Sequence, residues 1–223
     1  MTRFTAELGE RDGLDRALTT TRSIRRRLAY GEPVDRELIS DCLQLAVHAP
    51  NGGNRQEWRF VVADDPAVIE QIAGYYRTAS EAYLAAKPPR DPSMAAAARL
   101  LASRLHEVPV LVVGCLKGRL APEASARELS SFYGSIYPAL WSFMLAAGRR
   151  RLGTTLTTVQ LAYERELADV LGIPYETTTQ VAMVAVGHLL GDGVSPAPRR
   201  PVDEVLSWNC WQEPATAPRP APS

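Results

Sequence analysis

Apolar side chains recur along this 223-residue chain in two rhythms: every three or four positions in some stretches, in unbroken or alternating runs in others. The first rhythm predicts amphipathic helices and the second predicts strands. Leu14–Leu28 reads as a helix running into a cluster of arginines. Asp35 is placed to cap a second helix, on which Leu38, Ile39, Cys42, Leu45 and Ala46 fall at helical spacing. That helix must stop by Ala49, because the residue ahead of Pro50 avoids the helical region. Asn51-Gly52-Gly53-Asn54 is loop chemistry, and Trp58–Ala63 is a short strand. Pro66–Ala85 and Ser93–His106 are helical, and Pro109–Leu116 is a fully buried strand. Glu128–Arg151 reads as one long helix, with Ile136, Leu140, Phe143, Met144 and Ala147 on one stripe and Gly153 as its stop. Thr154–Val159 is β-prone, Glu164–Leu171 is a short helix closed by Gly172, and Thr178–Leu189 is a second buried strand.

Helices and strands interleaved without a repeat or a linker predict one α+β domain over residues 1–212, with a disordered Pro/Ala-rich tail over 213–223. The composition, 46% hydrophobic and 22% charged, is that of an ordinary globular protein. Lys plus Arg and Asp plus Glu each number 25. That balance argues against a nucleic-acid or other polyanion binder, yet a local basic cluster can still grip one phosphate. The N-terminal MTRFTAELGERDG is too charged for a secretory signal, and no apolar run approaches the ~18 residues of a spanning helix. A cytoplasmic protein without a membrane partner is the expectation. Cys42, Cys115 and Cys210 lack metal or redox spacing and read as buried free thiols. His48, His106 and His188 lack partners at metal-ligand or triad spacing, so no metal and no acid–base catalytic residue is assigned.

Four segments carry candidate chemistry. Thr21-Arg22-Ser23-Ile24-Arg25-Arg26-Arg27 offers guanidinium forks and a hydroxyl for a phosphate, or is a solvated basic helix face. Ala49–Arg59 (APNGGNRQEWR) lets backbone approach a flat ligand, with Asn54 and Gln56 able to read a heterocycle's edge, or is a helix-to-strand turn. Leu152–Thr158 (LGTTLTT) presents backbone amides to a ligand, or is simply a strand. Pro198-Arg199-Arg200-Pro201 with Val202-Asp203-Glu204-Val205 is, alone, an exposed basic turn.

The order and spacing of all four together resemble the nitroreductase family of FMN flavoproteins. The matching elements are RSIR, APNGGNRQEWRF, YPALWSFMLAAGRRRLGTTLTT and RRPVDEV, over about residues 15 to 211. Three departures stand out: Glu57 where the family usually has Pro, Thr21 where a second Arg is common, and Leu156 and Thr158 where Pro and Gly are frequent. The resemblance implies an α+β fold with a central mixed or antiparallel sheet flanked by helices and a long central dimerisation helix. By the same resemblance Arg22, Ser23 and Arg25 would hold the FMN phosphate, ribityl chain and pyrimidine side, with Arg199 and Arg200 completing the phosphate site. Leu156, Thr157 and Thr158 would pass the reactive edge of the flavin. Pro50, Asn51, Gly52, Asn54 and Gln56 match the loop that reaches the flavin of the other subunit, and Ser135 and Tyr137 match positions that approach it. Trp141, Phe143 and Met144 read as core or dimer packing. Tyr75, Tyr76, Tyr83 and Met94 fall in the family's most variable region, where they shape the pocket or pack helices.

The activity so implied is hydride transfer from NADH or NADPH, through FMN, to an electron-poor acceptor (nitroaromatic, quinone, enone or flavin) in a ping-pong cycle by a homodimer. The flavin carries the hydride, so a missing acid–base dyad is no obstacle. Two rival readings keep the cofactor motifs. One is a dehydrogenase or oxidase acting on a peptide- or heterocycle-like natural product; the other is a flavin-binding protein without turnover.

Overall fold

The computed structural model describes residues 13–87, 89 and 91–212. The Pro/Ala-rich stretch 213–223 lies outside the described residues. A four-stranded sheet, antiparallel throughout, has the order β1-β2-β4-β3, with β1 Trp58–Ala63, β2 Val110–Lys117, β3 Leu152–Thr157 and β4 Thr178–His188. The helices are α1 Gly13–Thr20, α2 Arg36–Ala46, α3 Pro66–Ala86, α4 Pro92–Arg104, α5 Ala126–Gly134, α6 Tyr137–Arg149 and α7 Glu164–Leu171. Helix α6 and α2 cover one face of the sheet, where Phe143, Leu140 and Ile136 are fully buried against Val112 and Val184. Helices α3, α4 and α7 cover the other face, with Ile69, Leu101 and Leu167 against Leu111 and Met183. The two central strands are therefore buried on both sides, as their unbroken apolar runs require. Gly114 sits at the bulge in β2 because a Cβ there would stand 3.0 Å from a Leu140 methyl.

Several element ends match the pattern in the sequence. The carboxylate of Asp35 accepts the Glu37 N–H and caps α2. Gly172 takes the left-handed conformation (φ 64°) and closes α7.

Four expectations are corrected. The first helix ends at Thr20 rather than Leu28. Thr19 and Thr20 turn their hydroxyls onto the carbonyls of Asp15 and Arg16, and β-branched residues favour helix weakly. Beyond them Ile24 and Leu28 are buried as extended chain along the sheet edge. Second, the long helix is two helices broken at Ser135–Ile136. Pro138 lacks an amide hydrogen and its ring would strike the carbonyl of Gly134, so it opens α6 instead of continuing α5. Third, Gly153 does not stop that helix. Arg151 takes the left-handed conformation (φ 59°), and Gly153 lies inside β3, where a Cβ would come within 2.7 Å of a Leu28 methyl. As a result β3 begins at Leu152 and ends at Thr157, and Val159–Tyr163 is a turn of 3₁₀ helix. Fourth, Cys42 and Cys115 are buried free thiols but Cys210 is exposed, because it lies in a C-terminal stretch with little packed against it. Burial pushes the Cys115 thiol up to about 12.

Candidate functional site

The segment after α1 runs beside β3. Ser23 pairs with Thr154 in parallel, the Ile24 N–H donates to the Thr154 carbonyl (2.8 Å), and the Thr155 hydroxyl donates to the Ile24 carbonyl (2.5 Å). Side chains alternate along extended chain, so Arg22 and Ile24 turn towards α6 while Arg25 turns towards α3. The hydroxyl of Tyr30 donates to the Arg25 carbonyl (2.8 Å), and the Arg104 guanidinium lies over the Tyr30 ring at 4.0 Å. Burial raises the Tyr30 pKa, which keeps this phenol a neutral donor. Arg104 is held in turn by two hydrogen bonds to the Glu107 carboxylate.

Arg25 meets the end of β3 in a cavity of about 730 Å³, lined on one side by Leu156, Thr157 and Thr158 and on the other by Tyr76, Ser80 and Tyr83 of α3. The Tyr76 hydroxyl and the Thr157 hydroxyl stand 3.4 Å apart, both buried. Tyr75 packs instead on Tyr163, with ring centroids 5.3 Å apart. Arg22 lines a separate cavity of about 260 Å³ with Arg16, Arg149, Arg151 and Gly193. A third, of about 430 Å³, is lined by Asn51, Gly52, Arg55, Glu57, Arg127 and Ser131.

The loop before β1 is ordered by its own side chains. Asn51 accepts the Gln56 N–H on its carboxamide oxygen (3.0 Å), Gln56 donates to the Asn54 carboxamide oxygen (3.2 Å), and the Gly52 N–H donates to the Ser135 hydroxyl (3.0 Å). Gly53, Asn54 and Gln56 all have φ between 51° and 60°. Asn tolerates this region but Gln56 is strained in it, at a cost of about 1–2 kcal/mol. Local strain of this kind concentrates at functional sites.

The structure thus gathers Arg25, Leu156, Thr157 and Thr158, places Arg22 in a second cavity, and places Asn51 and Gly52 in a third. Ser23, Pro50, Asn54, Gln56, Arg199 and Arg200 line none of these three cavities, and all six are exposed. The Arg199 guanidinium donates to the Pro198 carbonyl (3.0 Å). Phe143 and Met144 are buried, whereas Trp141 keeps 38% of its surface exposed and Tyr137 keeps 39%. Tyr76 and Tyr83 line the largest of the three cavities, as one reading of their segment had it. Arg16, Arg149 and Arg151 received no role from the sequence. The Arg149-Arg150-Arg151 run stood in plain view, but its destination depends on where α6 ends. Among the described residues no three of His, Cys, Asp and Glu come together as a metal site, and no helix is long and apolar enough to cross a membrane.

The fold has counterparts among known proteins. The fold is shared with a BluB-like flavoprotein from Clostridium difficile, with a TM-score of 0.68 and 23% identity, covering 89% of this chain and 99% of that one. It is shared also with an oxidised iodotyrosine deiodinase bound to FMN and 3-iodo-L-tyrosine, with a TM-score of 0.70 and 22% identity, covering 89% and 100%. The sequence is 30% identical over 205 residues to the 5,6-dimethylbenzimidazole synthase of Rhodospirillum rubrum, covering 89% of this chain and 90% of that protein. A model of the nitroreductase family matches residues 18–188. With more than two-thirds of its length matched, the chain belongs to the nitroreductase family, whose members are flavin-dependent oxidoreductases.

Proposed function

We propose that this chain is an FMN-dependent oxidoreductase, working as a homodimer, that passes hydride from NADH or NADPH to an electron-poor acceptor by a ping-pong mechanism. The observation that carries the reading is the cavity of about 730 Å³ in which Arg25 meets Leu156–Thr158. These segments come from opposite halves of the chain, and the family resemblance assigns both to one flavin ring. The volume lies within the ~300–1,000 Å³ of small-molecule and cofactor sites.

When bound, FMN supplies the ring that takes up hydride from the nicotinamide and gives it to the acceptor. The protein does the rest. Arg25 supplies a fixed cation for the pyrimidine side, and its main chain is held by the Tyr30 hydroxyl. Arg22 supplies a cation for the phosphate. Leu156, Thr157 and Thr158 would form the wall at the reactive edge, braced by the Tyr76–Thr157 contact. Tyr83 and Tyr163 line the same cavity and would border the bound ring beside the space for nicotinamide and acceptor.

The homodimer reading is supported by what one copy leaves apart. The loop over Pro50–Gln56 shares none of the three cavities described above with Arg25 or with Leu156–Thr158, so a site containing both would draw the loop from a second chain. Tyr137 and Trp141, half-exposed on α6, are where that second chain would pack.

A second reading keeps the flavin and changes the reaction. The similarity to proteins named for dimethylbenzimidazole synthesis and iodotyrosine deiodination favours chemistry other than nitro reduction on this scaffold. An enzyme that dehydrogenates a heterocycle-like compound and passes electrons to oxygen would use the same residues.

The test is an absorbance spectrum of the purified protein before and after NADPH under nitrogen. Flavin bands that bleach support the reductase. Bands that persist, then bleach with a reducing organic substrate, support the dehydrogenase. A protein that stays colourless after incubation with FMN overturns both.

A further inference from the structure

One face of α3 changes character along its length. Ile69, Ile72 and Ala73 are buried against the sheet, and further along the same face Tyr76, Ala79, Ser80 and Tyr83 line the cavity of about 730 Å³. Ser80 is 4% exposed, and its hydroxyl makes no hydrogen bond among the described residues. A hydroxyl inside a helix can return to the carbonyl one turn back, as Thr78 does onto Gly74 (3.3 Å). Ser80 forgoes that bond and lines the cavity instead. A buried hydroxyl without a partner costs free energy that a hydrogen-bonding ligand recovers. Tyr76, one turn earlier, is 5% exposed, and its one side-chain hydrogen-bond partner among the described residues is the Thr157 hydroxyl at 3.4 Å. The Val159 N–H donates to that same Thr157 hydroxyl (3.4 Å). The threonine can then give its own hydrogen to the Tyr76 oxygen, which leaves the phenolic hydrogen for a ligand.

Charge adds a second constraint. Arg25 is the one charged side chain among the described residues that line this cavity, and the flavin reading commits it to the ring. No carboxylate lines the cavity among the described residues, so an ammonium group entering it would lack a partner and meet only a like charge. A wall that hydrogen-bonds a substrate oxygen also rejects the analogue lacking it, because its own buried group is left unpaired.

We infer that Ser80, together with Tyr76, reads an oxygen atom of the second substrate, and that this wall selects uncharged conjugated compounds carrying such an oxygen over hydrocarbons and over ammonium-bearing compounds. The inference rests on the flavin reading of Arg25 and Leu156–Thr158 and adds a role for the α3 wall.

The test compares para-nitrotoluene, para-xylene and para-nitrobenzylamine, three rings that differ in one group. Dissociation constants are measured by calorimetric titration of the oxidised, FMN-loaded protein without nicotinamide, so that nothing reacts. Wild type is expected to bind para-nitrotoluene at least about tenfold more tightly than either of the others, the size of one hydrogen bond. Ser80→Ala and Tyr76→Phe should each weaken para-nitrotoluene by up to about tenfold and leave para-xylene unchanged. Ser80→Ala should also unfold at the same urea concentration as wild type or a higher one, because its hydroxyl has no protein partner to lose. A lower midpoint with para-nitrotoluene binding unchanged would make Ser80 a structural residue and overturn the inference. Equal affinity of wild type for para-nitrotoluene and para-xylene overturns it too, as does a Ser80→Ala variant that loses both alike. Para-nitrobenzylamine bound as tightly as para-nitrotoluene overturns the charge selection. A wild-type protein that takes up no FMN fails the flavin reading, and the subsite with it. FMN taken up normally, with binding blind to the nitro group, removes the subsite alone.

Discussion

The two central strands and the stretch that follows them, residues 189–212, contain similar apolar side chains and meet opposite fates. In β4 every residue from Thr179 to Gly187 is buried, with strands paired on both edges and helices packed on both faces. In the later stretch Leu190, Val202, Val205 and Leu206 are exposed, and Trp208 keeps 74% of its surface in contact with solvent. Hydropathy alone does not separate the two; the number of available partners does. Pro196, Pro198 and Pro201 lack the amide hydrogens a sheet ladder needs, so this stretch cannot extend the sheet as β4 does. The centre of the molecule is closed within one chain, while the described part of its C-terminal stretch stays exposed.

The contrast breaks hardest at the closed end. Phe143 is fully buried between α6 and the sheet. Phe143→Ala is expected to cost about 3–5 kcal/mol through lost burial and the cavity left behind, read as a lower urea midpoint with an unchanged slope. A loss under about 1 kcal/mol would mean that this face repacks freely.

Next comes Arg119, which ties the end of β2 to β4 and α7. Its guanidinium donates to both Glu164 carboxylate oxygens and to the carbonyls of Tyr175 and Thr178, and Glu164 also accepts the Gln180 N–H. Both side chains are largely buried, at 27% and 17% exposed. Arg119→Ala leaves the Glu164 carboxylate without its partner, at about 3 kcal/mol, the low end for a buried pair. Removing both charges with Arg119→Met and Glu164→Gln should cost less than Arg119→Ala alone, measured by the same unfolding curves.

How much of this was legible beforehand follows the same divide. Strand β1 and helix α7 have the bounds the sequence pattern gave them, because their signals are local: an apolar run between turns, and a glycine at the helix end. The breaks at Thr20 and Ser135 were missed for different reasons: edge pairing of the chain beyond Thr20 is a tertiary contact, whereas Pro138 was a local signal read as a helix residue. The site divides likewise. The motifs singled out Arg22, Arg25 and Leu156–Thr158, which line two cavities, but no linear pattern could place Arg16 and Arg149 around one cavity, since they approach from two different helices.

Trp141 sharpens the open end. It shares α6 with Phe143 but faces outward. Trp141→Ala is therefore expected to leave the subunit's own unfolding nearly unchanged, instead of costing what a core tryptophan would. Its effect falls on assembly, at about 2 kcal/mol if it is an interface anchor, or some 30-fold in the dimer dissociation constant. Analytical ultracentrifugation across a dilution series measures this. An unchanged dimer constant would remove α6 from the interface.

The smallest effect lies behind the arginine segment. Arg104 donates two hydrogen bonds to Glu107, and these hold the Glu107 carboxyl below its ordinary value of 4.5. A carboxylate whose pKa is lowered by folding adds stability above the unfolded value and loses it as the pH falls through the folded one. The pair is more than a third exposed, at 41% and 35%, so solvent reduces the increment to ~0.5 kcal/mol or less. Glu107→Gln should therefore be slightly less stable than wild type at neutral pH, and the gap should close as the pH drops below 4.5. The same pair sets the Arg104 guanidinium over Tyr30, whose hydroxyl holds the Arg25 carbonyl. If that chain of contacts positions Arg25, Glu107→Gln also weakens flavin binding at neutral pH by a small factor. If stability shifts and flavin affinity does not, the bracing ends at Tyr30 and Arg25 is held by the sheet edge alone.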